Sequence, residues 1–468
     1  MFKKIIFLLL LISSIISIIL GVYIDIFPII YLLSFILIEL LFILLSIFLL
    51  KKKNIFKVIG YILSFILIII FIVISFIFIR YDKIFNNISN NNKEVNNYVV
   101  VVLEESNYYN ISDIIDKYFG ILNTEDTYYK DALLKLKDKG NFNYKSYNNE
   151  LELANGLLNN DVDAILLSEA YISILSDGIK DFSDKIRLLD DSKVEVEIEK
   201  ENNDKEEVID INNNEAFNIY ISGIDTYGKI SSVSRSDVNI IATINPNTSK
   251  ILLTNVPRDM YVELDGKSGL KDKLTHAGVY GINTSVNTLE NFLDIDISYY
   301  VRINFSSLIN IVDYIGGIDV YSEYSFKSYN RYFNSGMNYK LTGNEALAFS
   351  RNRYAFSDGD RQRGRNQQQV IAPIIKKIIK SNDINVYFNL INTLESSFQT
   401  NMDKNTINSF IYKQLENNYN FDILFNDVNG YDSSNYTYSY PWQRLYVMEV
   451  DYNSLENAKN MINNTLKN

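Results

Sequence analysis

Arginine and aspartate residues recur together in three short stretches of the second half of the chain. The stretches are Arg235-Ser236-Asp237, then Val256-Pro257-Arg258-Asp259, then Arg351-Asn352-Arg353 running on to Asp360-Arg361-Gln362-Arg363. The guanidinium group is the side chain best matched to phosphate oxygens. Paired aspartates suit a Mg²⁺ ion that also holds phosphate. These residue types therefore predict a site that binds phosphate groups with the help of a divalent cation.

Two of the aspartates come at the ends of successive predicted strands. The strand at 217–222 stops at Gly223-Ile224-Asp225, and Asp237 immediately precedes the next strand. If these strands are neighbours, Asp225 and Asp237 meet at one sheet edge, where two carboxylates repel each other unless a cation lies between them. We expect them to hold Mg²⁺, or Mn²⁺ in its place. The alternative, in which each aspartate caps a turn, fits the spacing equally well.

The third stretch carries the most positive charge. In an extended segment Arg351 and Arg353 share a face, which two like charges avoid unless an anion bridges them. The polar residues beyond them lead into a helix predicted at 368–379, whose N-terminus adds backbone N–H donors for phosphate. This pattern favours an anion site over a solvated basic loop.

Composition excludes several other kinds of site. The chain has 468 residues, no cysteine and one histidine, which excludes thiol chemistry and argues against a Ser-His-Asp triad and a multi-histidine zinc site. The formal charge of -11 argues against a nucleic-acid surface. Lys273 is a candidate point charge for phosphate, whereas His276 fits a structural role in its turn better than the role of a base.

The elements that must position this site follow an apolar N-terminal region. Three apolar spans, 5–24, 27–50 and 55–79, are each long enough to cross a bilayer as a helix, which predicts a membrane anchor over residues 1–82. Lys3, Lys4 and the Lys51–Lys53 run then place the N-terminus in the cytoplasm and the rest of the chain outside the cell. A cleaved signal peptide is the alternative for the first span, but no small-residue cleavage site follows it. Residues 85–97 are Asn-rich and predict a stalk or loop.

Beyond the anchor the chain divides at a charged, Asn-rich segment. Short apolar strands and amphipathic stretches predict a small α/β accessory domain over 94–196, and residues 197–215 predict a linker. From 216 to 468, strands rich in β-branched residues alternate with helices. We therefore predict an α/β sandwich, a central sheet flanked by helices, for the part that carries the site.

These motifs, in this order, resemble the LytR–CpsA–Psr family of membrane-anchored phosphotransferases that act in cell-wall assembly. The resemblance rests on Gly223-Ile-Asp225, Arg235-Ser-Asp237, Val256-Pro-Arg258-Asp259, Lys273-Leu-Thr-His-Ala277, Val312-Asp-Tyr-Ile-Gly-Gly-Ile318, Arg351-Asn-Arg353, Asp360, Arg363, Gln367 and Gln368. Two positions depart from the family pattern: Tyr227 and Asn366 stand where an arginine is usual, and Arg361 and Arg365 are candidates to supply the missing charge. The three-span anchor and the accessory domain resemble the longer, capsule-type members.

The resemblance implies a polyprenyl-pyrophosphate lipid carrying a glycopolymer as donor and a peptidoglycan sugar hydroxyl as acceptor. It implies metal binding by Asp225 and Asp237, catalytic roles for Arg258, Asp237 and Asp259, and substrate binding by Arg235, Arg258, Lys273, Arg351, Arg353, Arg363 and Gln367. The lipid tail would lie in an apolar groove between the helices at 284–293 and 308–315, although most of those apolar positions also fit a core. Two other functions stay open: a hydrolase of the same lipid pyrophosphate, and a receptor that binds polyprenyl phosphates without turnover. The expected topology argues against a DNA-binding regulator.

Overall fold

The computed structural model describes residues 2–24, 27–90, 94–189, 193–198, 214–225, 230–381, 386–387, 389–390, 393 and 398–467. It begins with three long helices, α1 (Phe2–Ile24), α2 (Ile29–Lys51) and α3 (Ile55–Asn90). Each contains a segment long and apolar enough to cross a membrane. The stalk predicted at 85–97 is wrong in part, because α3 continues to Asn90 and a strand begins at Glu94. Once a long helix is nucleated, adding residues costs little, even when they are polar.

A first, six-stranded sheet follows the anchor and has the order β3-β2-β4-β1-β5, with β6 also paired to β1. Its strands are β1 (Glu94–Leu103), β2 (Tyr118–Leu122), β3 (Asn143–Tyr147), β4 (Ala164–Ser168), β5 (Ile186–Leu188) and β6 (Val194–Ile198). Its helices are α4 (Thr127–Lys137), α5 (Glu150–Leu158), α6 (Glu169–Gly178) and α7 (Phe182–Lys185). We call this part the accessory unit. The predicted linker falls mostly on 199–213, outside the described residues.

A second, mixed sheet of six strands has the order β17-β12-β7-β8-β9-β18. Its strands are β7 (Phe217–Ile224), β8 (Ser236–Asn245), β9 (Lys250–Asn255), β12 (Tyr299–Asn304), β17 (Phe398–Thr400) and β18 (Asp422–Asp427). Four short hairpin pairs surround it: β10 (Tyr261–Glu263) with β11 (Lys271–Lys273), β13 (Ile318–Ser322) with β16 (Gly336–Leu341), β14 (Phe326–Ser328) with β15 (Arg331–Phe333), and β19 (Gly430–Asn435) with β20 (Leu445–Val450).

Helices cover this main sheet on both faces. They are α8 (Leu274–Ala277), α9 (Ile282–Leu293), α10 (Phe305–Tyr314), α11 (Gly343–Arg351), α12 (Asp360–Lys380), α13 (Lys404–Asn417) and α14 (Tyr452–Lys467). One core buries Tyr220 and Ile241 of the sheet with Leu289 of α9 and Ile462 of α14. Another core, on the opposite face, buries Ile240 and the adjacent strand residues against α12. The alternation of inward and outward residues along β8 supplies both faces, as the predicted α/β sandwich requires.

Two local predictions near the site are wrong. Arg351 does not belong to an extended segment, because it is the last residue of α11, whose start is fixed by a capping box between Thr342 and Glu345. The helix predicted at 368–379 begins earlier, at Asp360, behind Gly359 with a positive φ of 52°. The polar residues from 360 to 367 were expected to lead into a helix, but they form the first turns of an amphipathic helix.

The membrane anchor packs against the main unit through α13. The Tyr81 hydroxyl donates to Asn408 Oδ1 at 3.0 Å, and Asn408 Nδ2 donates to the Ile24 carbonyl at 2.8 Å. Ile24 and Tyr81 are buried together with Ile411 of α13. The C-terminal ends of α1 and α3 are therefore attached to the globular part.

Candidate active site

A β-bulge brings the two predicted metal ligands to one end of the main sheet. In the antiparallel pair β7–β8, Gly223 lies opposite Val238 and Ile224 lies opposite Ser236. Asp237 is therefore the extra residue of a bulge, a feature that redirects a side chain and is common beside active sites. Asp225 follows directly after β7, at the same edge. The two strands are therefore neighbours, which the predicted meeting of Asp225 and Asp237 requires.

The surroundings of the two aspartates differ. Asp237 is nearly buried, and its Oδ1 accepts from Arg258 Nη1 at 2.7 Å and from Thr275 Oγ1 at 3.3 Å. Burial opposes the charge of Asp237, but neighbouring arginines, Arg258 foremost, lower its pKa below the ordinary value. Both hydrogen bonds from described residues end on Oδ1, which leaves Oδ2 available to a cation.

Asp225 is the more exposed partner and carries the repulsion between the two. Burial raises its pKa, and the adjacent charge of Asp237 raises it further, against the opposing effect of Arg351. Its Oδ1 lies 3.4 Å from Arg351 Nη2. Two carboxylates that destabilise each other's charge, one with an unused oxygen, have the donor set that fits Mg²⁺ shared with phosphate.

Arg258 lies at the centre of the site. Its backbone is fixed, because its carbonyl accepts from Thr275 N at 2.8 Å and the next carbonyl, of Asp259, accepts from Met448 N at 2.8 Å. The guanidinium pairs with Asp237, and its Nε lies 3.6 Å from Asp259 Oδ1. That Nε is buried and has no hydrogen-bond partner among the described residues. A buried donor without an acceptor is costly, so it suits an anionic ligand.

The first turns of α12 supply further groups. Arg363 is nearly buried, and its Nη2 forms an ion pair with Asp360 Oδ1 in the first turn. Burial raises the pKa of Asp360; Arg363 opposes this shift, and Asp259 adds to it. Gln367 is buried one turn further along the same helix face as Arg363. The predicted phosphate ligands of this stretch are thus helical neighbours.

The side chains of Arg351 and Arg353 have different surroundings. The Arg351 guanidinium lies 4.1 Å from the centre of the Phe305 ring, which orients it towards Asp225. Arg353 Nη2 donates to the Tyr354 hydroxyl at 2.8 Å. Arg351 is therefore an ordered member of the site, whereas the described hydrogen bond of Arg353 is to its chain neighbour.

Arg235 and Lys273 contact a residue that the sequence did not indicate, Asp177 at the end of α6. Arg235 Nη1 lies 3.1 Å from Asp177 Oδ1, and Lys273 Nζ lies 2.7 Å from Asp177 Oδ2 and 3.7 Å from Asp259 Oδ1. A single aspartate in a helix of the other unit offers no motif. Its one sequence signal is a carboxylate in the last turn of a helix, where the dipole disfavours negative charge.

His276 is a buried structural residue between carboxylates. Its Nδ1 lies 2.7 Å from Asp272 Oδ1 and 2.9 Å from Ser439 Oγ, and its Nε2 lies 3.5 Å from Asp177 Oδ2. Burial alone would lower the pKa of His276, but Asp272 and Asp177 raise it above its ordinary value. Held between these carboxylates, His276 serves a structural role rather than that of a base.

Arg361 and Arg365, the candidates to supply the charge missing at Tyr227 and Asn366, are paired with other carboxylates. Arg361 Nη2 contacts Asp432 Oδ1 at 2.8 Å, and Arg365 Nη2 contacts Asp358 Oδ2 at 2.8 Å. The buried Nδ2 of Asn366 has no hydrogen-bond partner among the described residues. Tyr227 lies outside them.

The two helices expected to line a lipid groove pack into different cores. Leu289 and Leu293 of α9 belong to the core shared with α14, whereas Leu308 and Val312 of α10 belong to a core with α11. These positions therefore fit the alternative given by the sequence, a packed interior. A lipid groove between α9 and α10 stays a prediction.

The regions that match known proteins include the residues of this site. The model of the LytR_cpsA_psr family matches residues 188–460. The polyisoprenyl-teichoic acid–peptidoglycan teichoic acid transferase TagU of Bacillus cereus is 35% identical over 222 residues, which are 47% of this chain and 71% of that protein. TagU of Enterococcus faecalis is 32% identical over 235 residues, 50% of this chain and 75% of that protein.

Among solved structures, the crystal structure of B. subtilis TagV is similar to this chain, with 28% sequence identity and a TM-score of 0.45. The similar region covers 54% of this chain and 98% of the TagV chain. The family match includes the predicted site residues from Asp225 to Gln367. Asp177 lies outside it.

Proposed function

This chain belongs to the LytR_cpsA_psr family, and from that membership we propose that it transfers a glycopolymer from a polyprenyl-pyrophosphate lipid to a peptidoglycan sugar hydroxyl. The product is a phosphodiester link between polymer and cell wall. The names of both TagU relatives specify teichoic acid, so a teichoic acid is the first polymer to test. A capsule polysaccharide is the second.

The observation that carries this proposal is the charge balance of one buried site. Its cations are Arg235, Arg258, Lys273, Arg351 and Arg363, and its anions are Asp177, Asp225, Asp237, Asp259 and Asp360. The two sets are equal in number. A divalent cation adds two positive charges, and a diphosphate diester adds about two negative charges. Binding of both therefore preserves the charge balance of the site. A receptor for an anion alone would need an excess of cations instead.

The arginines bind the diphosphate. Arg258 has a buried Nε without a hydrogen-bond partner among the described residues, and the charges of Arg258 and Arg363 both act on Asp237. Arg351 approaches from the more open side, next to Asp225. Phosphoryl transfer requires positioning and charge stabilisation more than covalent chemistry, and fixed guanidinium groups provide both. Gln367, one turn after Arg363, is placed to hydrogen-bond a phosphate oxygen.

In the transfer step the acceptor hydroxyl oxygen bonds to the polymer-side phosphorus. The bond from that phosphorus to the bridging oxygen breaks, and the lipid leaves as its monophosphate. The hydroxyl proton passes to a carboxylate. Asp259 suits this role better than Asp237, because Arg258 and Thr275 already donate to Asp237 and its pKa is lowered, whereas the nearest cations stand 3.6 and 3.7 Å from Asp259.

Asp225 and Asp237 are the residues that would hold Mg²⁺, or Mn²⁺. A bound divalent ion would neutralise phosphate charge as it builds on the leaving group. Support comes from the mutual repulsion of the two carboxylates and from the unused Oδ2 of Asp237.

The membrane anchor determines where the proposed reaction takes place. The three apolar helices fit a multi-pass membrane protein, so the site stands close to a lipid-linked donor. From Lys3, Lys4 and Lys51–Lys53 we propose that the N-terminus is cytoplasmic and the catalytic unit extracellular.

The test uses the full chain in lipid nanodiscs with a labelled polyprenyl-pyrophosphate glycopolymer, with and without peptidoglycan. We expect label on peptidoglycan and release of lipid monophosphate only when the acceptor is present. Equal release of polymer phosphate into water without acceptor would identify a hydrolase instead. Saturable lipid binding with no product in either arm would identify a receptor.

A further inference from the structure

The accessory unit places one carboxylate inside the charged site. Asp177 of α6 contacts the side chains of Arg235, Lys273 and His276, at 3.1, 2.7 and 3.5 Å. Lys273 is only 6% exposed and Arg235 19% exposed. Two of the cations predicted to bind substrate are thus paired with a residue outside the family match.

Asp177 is an unfavourable residue at this position on local grounds. It lies in the last turn of α6, where the helix dipole disfavours a carboxylate. Three cationic side chains of the main unit offset that cost: His276, Lys273 and Arg235 lower the pKa of Asp177 although burial opposes its charge. Arg235 also donates to the carbonyl of Ser173 in the same helix at 3.3 Å. The end of α6 is therefore matched to these cations.

The contact cannot open like a gate, because the two units share a hydrophobic core. Ile174 and Leu175 of α6 are buried in one cluster with Val233 and Tyr440 of the main unit. A Cβ on Gly178 would collide with the Tyr440 ring. Withdrawing Asp177 would expose this core to water, which is unfavourable for each of its large apolar side chains.

The backbone of the loop before Arg235 is also held by the accessory unit. Val95 N of β1 donates to the Ser231 carbonyl at 2.9 Å, and Val233 N donates to the Val95 carbonyl at 3.0 Å. Asn97 Nδ2 donates to Ser232 Oγ at 2.8 Å. Both the main chain leading to Arg235 and its guanidinium are thus fixed from the same side.

We propose that Asp177 is a positioning residue of the transferase site, which makes the accessory unit part of the active centre. This role rests on the proposed function. Asp177 holds Lys273 Nζ 3.7 Å from Asp259 and pairs with Arg235 Nη1 at 3.1 Å. Without Asp177, Lys273 and Arg235 would lose this partner and would move closer to the carboxylates of Asp259 and Asp237. Asp259 would then accept the hydroxyl proton poorly.

The proposed role of Asp177 predicts different effects of its substitution on KM and on kcat. Asp177→Asn removes a negative charge near an anionic substrate, so KM for the lipid donor stays the same or falls. The rate constant kcat falls between about tenfold and a hundredfold, as misplaced catalytic groups commonly cause. Adding Lys273→Met to Asp177→Asn removes one excess cation and recovers part of kcat.

Trp442 reports separately on docking of the units. It is the only tryptophan of the chain and packs against Tyr440, with ring centres 5.0 Å apart, beside the shared core. The matched control is Tyr171→Phe, which removes a hydrogen bond from the same helix to the Ser439 carbonyl but touches neither Arg235 nor Lys273. Asp177→Glu keeps the charge and should keep kcat, so it serves as the charge-preserving control.

The experiment compares wild type, Asp177→Asn, Asp177→Glu, the double variant and Tyr171→Phe as full chains in nanodiscs. We expect wild-type Trp442 emission in Asp177→Asn, loss of kcat in that variant alone among the singles, and partial recovery in the double variant. A rise in kcat would show inhibition by Asp177, and equal losses in Asp177→Asn and Tyr171→Phe would show a docking role; either overturns the proposal. Absence of transfer in wild type would instead reject the proposed function.

Discussion

The substitution Arg258→Met tests whether the centre of the site works by charge. Methionine keeps much of the apolar volume of the arginine stem and removes the guanidinium. Asp237 and Asp259, with side chains only 13% and 9% exposed, would then lose their closest cation. A buried charge left without its partner costs about 3–5 kcal/mol. Thr275 still donates to Asp237, which favours the lower end of that range.

The expected effects on stability and activity are both large. About 3 kcal/mol corresponds to a fall in Tm of about 6–12 °C for a unit of this size. Transfer should fall by about a hundredfold to a thousandfold, as when a single preorganised donor to a developing oxyanion is removed. Thermal unfolding and transfer of labelled polymer to peptidoglycan measure the two effects on the same preparation.

A second substitution separates the two effects. Adding Asp237→Asn to Arg258→Met removes one uncompensated carboxylate and should restore about half of the lost stability. It should not restore transfer, because the phosphate still lacks its central cation. Arg444→Ala, an exposed arginine near the Tyr436 ring, is the control and should change neither quantity. Unchanged Tm and transfer in Arg258→Met, or transfer regained in the double variant, would refute the reasoning.

Three further predictions concern other parts of the site. Chelation of divalent ions should abolish transfer, and Asp225→Asn should raise the Mg²⁺ concentration for half-maximal rate by at least about tenfold; equal titration curves for the variant and wild type would exclude Asp225 as a ligand. The raised pKa of His276, which faces Asp272, Asp177 and Ser439, contributes stability below pH about 6.5 that is lost as pH rises through the folded-state pKa. The free energy of unfolding between pH 6 and 9 should therefore fall more steeply in wild type than in His276→Gln, and parallel curves would contradict this. Gly278→Ala places a Cβ 2.5 Å from the Ser234 carbonyl oxygen, so it should cost about 1–3 kcal/mol and reduce transfer by moving Arg235, as denaturant unfolding and the transfer assay will show.

Part of the candidate site could be predicted from residue types near strand ends. Asp225 and Asp237 were expected to meet if their strands are neighbours, and β7 and β8 do pair. Arg258, from the second charged stretch, pairs with Asp237 at this edge. These predictions depend on local signals, such as alternation and turn residues, which a short segment carries by itself.

Other predictions were wrong where the local sequence is compatible both with a helix and with a non-helical segment. The expectation that Arg351 and Arg353 share a face holds for an extended segment, yet Thr342 and Glu345 begin a helix that reaches Arg351. The polar residues 360–367 were expected to lead into a helix at 368, yet the helix begins at Asp360. One buried face is enough to make such a segment helical once it packs against a sheet.

The sequence by itself determined the anchor, the α/β class and the cations and carboxylates available for phosphate chemistry, because hydropathy, periodicity and residue type are properties of short segments. Only the tertiary structure decided which charges pair. The bulge at Asp237, the ion pair of Arg258 with Asp237 and the contact of Asp177 with Lys273 all depend on which surfaces meet. The Asp177 contact joins residues 96 positions apart across two units, a separation at which no sequence spacing carries a signal. Packing of a shared core fixed it.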